Sequence, residues 1–301
     1  MTAVITGSTG FVGKNLSLYL SDRGVEIQPL TREVLERGEI RLPKDCTTIH
    51  LAGIAHDLHD RISADEYFNV NYGLTKRMYD AFVASDAKTF IFLSSIKAVA
   101  ESSDDALSEE TEPHPDSPYG LSKRAAEEYI ESCSLPEGKR LYILRPCIIH
   151  GPSNKGNLNL LYEYIAKGYP YPLAALDNRR SFLSIENLCF VINELIAGEV
   201  GSGTYNLADN ESLTTTEVVR TVCEVVSRPP RIWRVPSLMV KFTARLGDLL
   251  HLAFTSKRLD KLSEGCLVSN TKIKEALGKD LPVDARTGLR KTFEWLRKGA
   301  A

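Results

Sequence analysis

In the stretch SPYGLSKRAAEEY, residues 117–129, a tyrosine and a lysine stand four positions apart, Tyr119 and Lys123. KRAAEEY is rich in helix formers, and Pro118 suits a first helical turn. The two side chains therefore project from one helix face as neighbours. An ammonium beside a phenol lowers its pKa and makes it an acid or base usable near neutrality. The plainer alternative is an amphipathic helix with a solvated lysine. A strand-like run ending FLSS (92–95) lies 24 residues before Tyr119, so a serine could join the pair at a strand end.

Positioning such a group needs a sheet with helices on it, and the first 150 residues alternate accordingly. AVIT (3–6), EIQPLTR (26–32), TTIHLAG (47–53), KTFIFLSS (88–95) and LYILRPCIIHG (141–151) read as strands. FVGKNLSLYLSDRG (11–24), closed by Gly24, and EYFNVNYGLTKRMYDAFVAS (66–85) read as helices. The chain between Thr31 and Cys46 is short for a full βα unit, which predicts an abbreviated crossover. GTYNLAD (203–209) is a further strand, and 210–301 reads as mostly helical with proline breaks at 229, 230, 236 and 282. The fold class expected is a doubly wound parallel α/β sheet with a smaller, mostly helical domain. The division expected is 1–152, with 181–209 returning to it, against 153–180 plus 210–301.

AVIT leads into GSTGFVG, residues 7–13, and then a helix. In that setting Gly7 allows a tight turn, Gly10 lets the backbone approach a pyrophosphate, and Gly13 allows close helix contact. The helix N-terminus presents free N–H groups to the anion. The second strand ends Leu30-Thr31-Arg32, without the carboxylate that would bind a ribose 2′-hydroxyl. Arg32 could pair with a 2′-phosphate instead, so NADP(H) is favoured and NAD(H) left open. Glu39 complicates this if the short crossover brings it near the adenosine.

Bulk properties narrow the classes. A length of 301 residues suits about two domains of ~150 residues. Net charge −2 gives no basic field, which argues against nucleic acid. Cysteines 46, 133, 147, 189, 223 and 266 are scattered without a CxxC pair, and MTAVIT is not a secretory leader, so a cytoplasmic protein with reduced thiols is expected. No window of 18 uncharged apolar residues exists. VPSLMVKFTARLGDLLHLAF (235–254) carries Lys241, Arg245 and Asp248 and reads as amphipathic helix, not a membrane span.

Together TGSTGFVG (6–13), HLAG (50–53), VNYGLTKRMYDA (70–81), FLSSIKAV (92–99), PYGLSKRAAEE (118–128), LRPCIIHGP (144–152), NRRSFLSIENL (178–188) and YNLAD (205–209) resemble the extended short-chain dehydrogenase/reductases, the nucleotide-sugar epimerase/dehydratase/reductase family. The resemblance implies that Ser95, with Ser94 as substitute, binds the substrate oxygen and Tyr119 is the acid/base. It implies that Lys123 holds the nicotinamide ribose while lowering the tyrosine's pKa. Cofactor contacts implied are Gly7, Gly10, Phe11, Val12, Gly13, Arg32, Leu51, Ala52, Gly53, Tyr119, Lys123 and Pro146. Asn157, Arg180 and, more weakly, Arg258 match positions that contact a nucleoside diphosphate. SSIK with a short NRRS loop looks like bacterial amino-sugar 4-ketoreductases, which reduce UDP-linked 4-keto-6-deoxy-N-acetylhexosamines for surface polysaccharides. The 4,6-dehydratases carry an Asp-Glu pair where this chain has Ile96 and Lys97, so that chemistry lacks its carboxylates.

Other clusters were weighed. His50, His56, Asp57, His59 and Asp60 lack a ligand spacing, so no metal is expected and a loop bordering the crevice is preferred. Residues 104–116 read as an acidic surface loop, and YEYIAKGYPYPL (162–173) as nucleotide pocket or core. The leading expectation is an NADPH-dependent reductase of a nucleotide-diphosphate sugar. The alternatives are a 4-epimerase with bound NAD and a non-enzymatic dinucleotide sensor. A homodimer is left open.

Overall fold

The alternating pattern closes into one parallel sheet with helices on both faces. The computed structural model describes residues 1–54, 62–154, 156–176, 178–198, 200–249, 259 and 265–299. Six strands, β1 (Thr2–Thr6), β2 (Glu26–Leu30), β3 (Thr47–His50), β4 (Thr89–Leu93), β6 (Arg140–Pro146) and β9 (Gly203–Leu207), pair in parallel in the order β2-β1-β3-β4-β6-β9. Successive residues point to opposite faces. Val4, Phe90, Phe92 and Ile143 pack on Met78, Tyr79 and Phe82 of α4 (Leu74–Ala84) and Ala126 and Ile130 of α5 (Pro118–Ser132). Ala3, Ile5, Ile91 and Leu144 pack on Leu16 and Leu20 of α1 (Phe11–Ser21) and Leu188, Val191 and Leu195 of α7 (Ile185–Ala197). Burial on both faces explains the apolar centres of β1, β4 and β6, whereas edge strand β2, EIQPL, is mostly exposed. The strand order reverses at β1 and β3, whose carboxyl ends therefore border the crevice where such sheets bind ligands.

A second sheet, β10-β8-β11-β5, comprises β5 (Ser103–Leu107), β8 (Arg179–Ser184), β10 (Ser212–Thr214) and β11 (Cys266–Val268), with β7 (Ile148–His150) paired to β8. Its helices are α6 (Asn157–Ala166), α8 (Thr215–Val225) and, after α9 (Ser237–Leu249) and α10 (Thr271–Leu277), α11 (Ala285–Gly299). Tyr162 of α6 stacks on Phe293 of α11 with ring centroids 5.9 Å apart.

Several elements differ from the sequence expectation. The run 141–151 is two strands, because the chain leaves β9 after Pro146 and turns to β8. Both halves are apolar, so composition alone could not mark the break. The helix expected over 66–85 starts earlier, at α3 (Ala64–Tyr67) capped by Ser63, and contains a π-helical turn, Phe68–Gly73. The abbreviated crossover is α2 (Arg32–Arg37), and the strand before it stops at Leu30. The acidic stretch 104–116 begins in β5, whose backbone pairs with residues 266–268. The tail expected to be mostly helical also supplies β10 and β11.

His50 closes β3 with a neutral ring held between two hydroxyls. Its Nδ1 lies 2.8 Å from Thr6 Oγ1, and its Nε2 3.1 Å from Thr75 Oγ1. Thr75 spends its own proton on the Asn71 carbonyl, so Nε2 must carry the ring proton and Nδ1 accepts from Thr6. Burial, with Lys123 nearby, drives the imidazole pKa down to about 3. Between the unfolded value of 6.5 and 3 the unfolded chain binds more protons, so stability falls as pH falls through that window. The expected contribution is up to about 1.4 kcal/mol per pH unit. Urea titrations across that window should show a shallower acid limb in His50→Gln; an unchanged slope would assign the limb to other groups.

Candidate active site

The glycine loop is shaped by close approaches that only glycine permits. Gly7 takes φ +68°, and a Cβ there would lie 2.9 Å from the Ala52 amide nitrogen. A Cβ on Gly13 would fall 2.2 Å from the Gly7 carbonyl oxygen, so the first turn of α1 rests directly on the loop. Gly10 caps α1 with no side-chain bond, and no acidic residue stands in the first turn. Phe11 and Val12 open that turn, beneath backbone N–H groups free to meet a pyrophosphate. A cradle of this kind fits a dinucleotide. The Thr6 hydroxyl ties it to β3 by accepting the Leu51 and Ala52 amides, both at 3.1 Å.

Ser95, Tyr119 and Lys123 converge at the carboxyl end of β4. Ser95 caps the 3₁₀ turn Ile96–Ala98, its Oγ accepting the Lys97 amide at 3.2 Å. α5 starts with Ser117 as cap and Pro118 in its first turn, as the sequence suggested. Burial pushes the Tyr119 phenol up to about 12, and a hydrogen bond with Ser95 works in the opposite direction. Lys123 is buried, its Nζ donating to the Leu93 carbonyl at 2.9 Å, and burial brings it down to about 8 against the pull of Glu127. The expected lowering of the tyrosine's pKa by Lys123 is corrected here: desolvation dominates the phenol, and the ammonium is turned to the strand end. Gly53 closes the group, since a Cβ there would lie 2.9 Å from Asn71 Oδ1 and 3.3 Å from Lys123 Nζ. Pro146, buried at the end of β6, lies at the same edge of the sheet.

Supporting residues that the sequence reading gave no role hold this arrangement. Glu127, fully buried, pairs with Arg145 at 2.7 Å and accepts the Ser94 hydroxyl at 2.5 Å. Ser94 is thereby engaged below the site, while Ser95 meets Tyr119. Asn71, in the π turn, binds the Ile54 amide and carbonyl and donates to Ser122, whose hydroxyl bonds the Tyr119 carbonyl. No sequence signal set Asn71 apart, since 66–85 also carries Glu66, Asn69, Thr75, Lys76, Arg77 and Asp80. Gly120 lets α5 touch the Ile96–Ala98 turn, since a Cβ there would lie 2.4 Å from the Lys97 carbonyl oxygen.

The remaining predicted residues are dispersed. Arg32 is exposed at the start of α2, in an i,i+4 pair with Glu36 at 2.7 Å. Exposed Glu39 follows that helix. Asn157 is exposed at the start of α6, and Arg180 is half-buried in β8 beside Cys266 in register. Arg258, His56, Asp57, His59 and Asp60 lie outside the described residues. Among the described residues no group of His, Cys, Asp or Glu is arranged to hold a metal ion. Ile96 and Lys97 occupy the 3₁₀ turn after Ser95, with Lys97 paired to Glu101 at 2.6 Å.

Residues 3–208 match the NAD dependent epimerase/dehydratase family. The chain is 30% identical over 314 residues to the UDP-glucose 4-epimerase of Vibrio cholerae, covering 97% of this chain and 94% of that protein. It is 33% identical over 164 residues to the UDP-2-acetamido-2,6-beta-L-arabino-hexul-4-ose reductase of Pseudomonas aeruginosa, 53% of this chain and 38% of that one. The solved structure of RMD from Pseudomonas aeruginosa complexed with NADPH shares the fold, with TM-score 0.75 and 21% identity over 98% of each chain.

The contact at Gly120 generates a test. Gly120→Ala must push the first turn of α5 away from Lys97 and carry Tyr119 off Ser95. The expected result is a loss of about 1–3 kcal/mol in stability, as for overpacked sites, and a larger fall in kcat than in dinucleotide affinity. Native unfolding and native turnover in this variant would remove Gly120 from the positioning role.

Proposed function

Because this chain belongs to the NAD dependent epimerase/dehydratase family, we propose that it reduces the 4-keto group of a UDP-linked 4-keto-6-deoxy-N-acetylhexosamine with NADPH, for surface polysaccharide synthesis in the cytoplasm. The chain is an enzyme of the sugar-nucleotide reductase and epimerase type and takes a dinucleotide cofactor; the sensor reading is set aside. The observation that carries the reductive reading is the placement of Ser95, Tyr119 and Lys123 together at the carboxyl end of β4, with the Lys123 Nζ fixed on the Leu93 carbonyl at 2.9 Å and burial holding the phenol protonated. In this reading residues 1–152 with 181–209 carry the cofactor, and 153–180 with 210–301 the sugar nucleotide.

When bound, the nicotinamide supplies hydride to carbon 4. Negative charge then grows on the carbonyl oxygen. Ser95, its Oγ already accepting the Lys97 amide, keeps its own proton to donate to that oxygen. Tyr119, with its phenol pushed up to about 12, is protonated at neutrality and delivers the single proton that the new alcohol needs, while Ser95 keeps its own and only hydrogen-bonds the oxygen. Lys123, anchored on the Leu93 carbonyl, would hold the ribose. Ile96 and Lys97 offer no carboxylate pair for eliminating water. Arg32 would meet a 2′-phosphate by exchanging its exposed partner Glu36, and exposed pairs of that kind contribute little. Asn157 and Arg180 would take the diphosphate.

A 4-epimerase with tightly held NAD is the second reading, favoured by the likeness to the Vibrio cholerae enzyme along nearly all of both chains. It uses the same serine, tyrosine and lysine in both directions.

Tyr119→Phe should lower kcat by about 10²–10⁴-fold with dinucleotide binding retained. Incubation of the enzyme with NADPH and a UDP-4-keto-6-deoxy-N-acetylhexosamine should oxidise one NADPH per sugar reduced. Untouched NADPH, together with interconversion of a UDP-hexose and its carbon-4 epimer, would establish the epimerase instead. Cofactor choice is tested separately. Arg32→Ala should weaken NADPH by about 1.5–3 kcal/mol while sparing NADH, and equal losses for both would remove Arg32 from the 2′-phosphate.

A further inference from the structure

The strongest surface feature outside the site lies on and before α9. Trp233, Leu238, Met239 and Phe242 are 57%, 80%, 60% and 68% exposed. Scattered exposed apolar residues are ordinary, but these fall together. Leu238 and Phe242 are i and i+4, and Met239 and Phe242 are i and i+3, so they share one helix face. Val240 points the other way and is buried in the second lobe's core. Trp233 is held outward by the chain before α9. Its amide donates to the Tyr171 carbonyl at 2.9 Å, and the Tyr171 amide donates to the Arg231 carbonyl at 2.8 Å, pairing the two segments in extended form. Ile232 meanwhile packs on the core.

Charge singles out the same segment. Residues 228–247 contain Arg228, Arg231, Arg234, Lys241 and Arg245 and no Asp or Glu, in a chain whose net charge is −2. Arg228, Arg231, Arg234 and Arg245 are exposed. The Arg231 guanidinium reaches the Gly168 carbonyl at 3.4 Å, which brings Tyr169, 53% exposed, and Tyr164, its ring tilted against Tyr169 with centroids 5.1 Å apart, beside the basic segment. Aliphatic and aromatic side chains on one face, Trp and Tyr at its margin and an excess of arginine match a helix that lies in a membrane interface. No described helix is long and apolar enough to cross a membrane, so contact would be peripheral.

We propose that residues 228–247 form a docking surface for a bilayer carrying anionic lipid headgroups, with Leu238, Met239 and Phe242 entering the headgroup layer and the arginines pairing with phosphates. A neutral protein groove would satisfy the apolar residues but leave the cations without partners; an anionic bilayer satisfies both. The proposal goes beyond the enzymatic reading and holds whichever sugar nucleotide is the substrate.

Vesicle flotation of the full chain tests it, using phosphatidylcholine alone and phosphatidylcholine with about one-third phosphatidylglycerol. The protein should float with the anionic vesicles, remain behind with the neutral ones, and be released by high salt. Leu238→Glu with Phe242→Glu should cut the bound fraction at least tenfold, whereas Leu18→Glu, 69% exposed on α1, should leave it unchanged. Arg234→Gln with Arg245→Gln, which keeps the apolar face intact, should weaken binding to anionic vesicles in the same direction and guards against a folding defect in the first pair. Absence of flotation of the native chain with anionic vesicles, or flotation of either double variant equal to that of the native chain, overturns the proposal. So does a native dimer that the Glu pair converts to monomers, since the face would then be a contact between copies.

Discussion

Tyr119, Lys123 and Glu127 follow one another at intervals of four along a single face of α5, so the rotation of that helix about its axis decides where all three point. Glu127 fixes the rotation. Its carboxylate is fully buried and is held by the Arg145 guanidinium from β6 and the Ser94 hydroxyl from the end of β4. Rolling α5 by even a fraction of a turn would take that carboxylate from the buried Arg145 and leave it only Arg124 of its own helix, at 3.3 Å, and an uncompensated buried charge costs about 3–5 kcal/mol. Desolvation offsets much of what the intact pair gains, so its larger effect is on geometry. It selects the one rotation in which Tyr119 meets Ser95.

The clamp also separates two serines that look interchangeable in the sequence. Ser94 and Ser95 are adjacent and both buried, yet one hydroxyl is spent on Glu127 and the other caps the next turn and meets the phenol. Successive residues of an extended chain face opposite ways, so adjacency makes their roles exclusive. Gly120 completes the placement from the other side, where its lack of a side chain lets α5 rest on the Lys97 carbonyl. Neither contact is local in sequence, which is why the motif announced the pair but not its support.

What was legible follows from how local each constraint is. The glycine loop could be read directly, because Gly7 and Gly13 answer to a left-handed backbone and a near collision within seven residues. The central strands of the six-stranded sheet were legible because burial on both faces gives them short apolar runs, as in AVI, FIF and YIL. The second sheet was not: β5 and β11 pair across more than 150 residues, and β5 exposes Asp104 and Asp105 at an edge that reads as loop. The split at Pro146 was hidden for the opposite reason, both halves being apolar. Asn71 and Glu127 stood inside quoted motifs, but their roles depend on partners brought by other strands. Arg32 is legible only as a position, since at the tip of β2 it is an exposed arginine paired with its own helix.

The same burial that positions the pair biases its chemistry. Desolvation raises the phenol and lowers the ammonium, so the site disfavours charge on both. A phenol near 12 is a poor base at neutrality and a ready donor to any oxygen on which negative charge is growing. Reduction of a carbonyl creates such an oxygen, whereas oxidation of an alcohol needs the phenolate first. Reductases and epimerases can share serine, tyrosine and lysine because the triad serves either direction once a positive charge lies against the phenol. The distinction between them must then come from how firmly the dinucleotide is retained. In the proposed reading that depends on the cradle of Gly7, Gly10 and Gly13 and on the start of α2, which would face the adenosine and the phosphates.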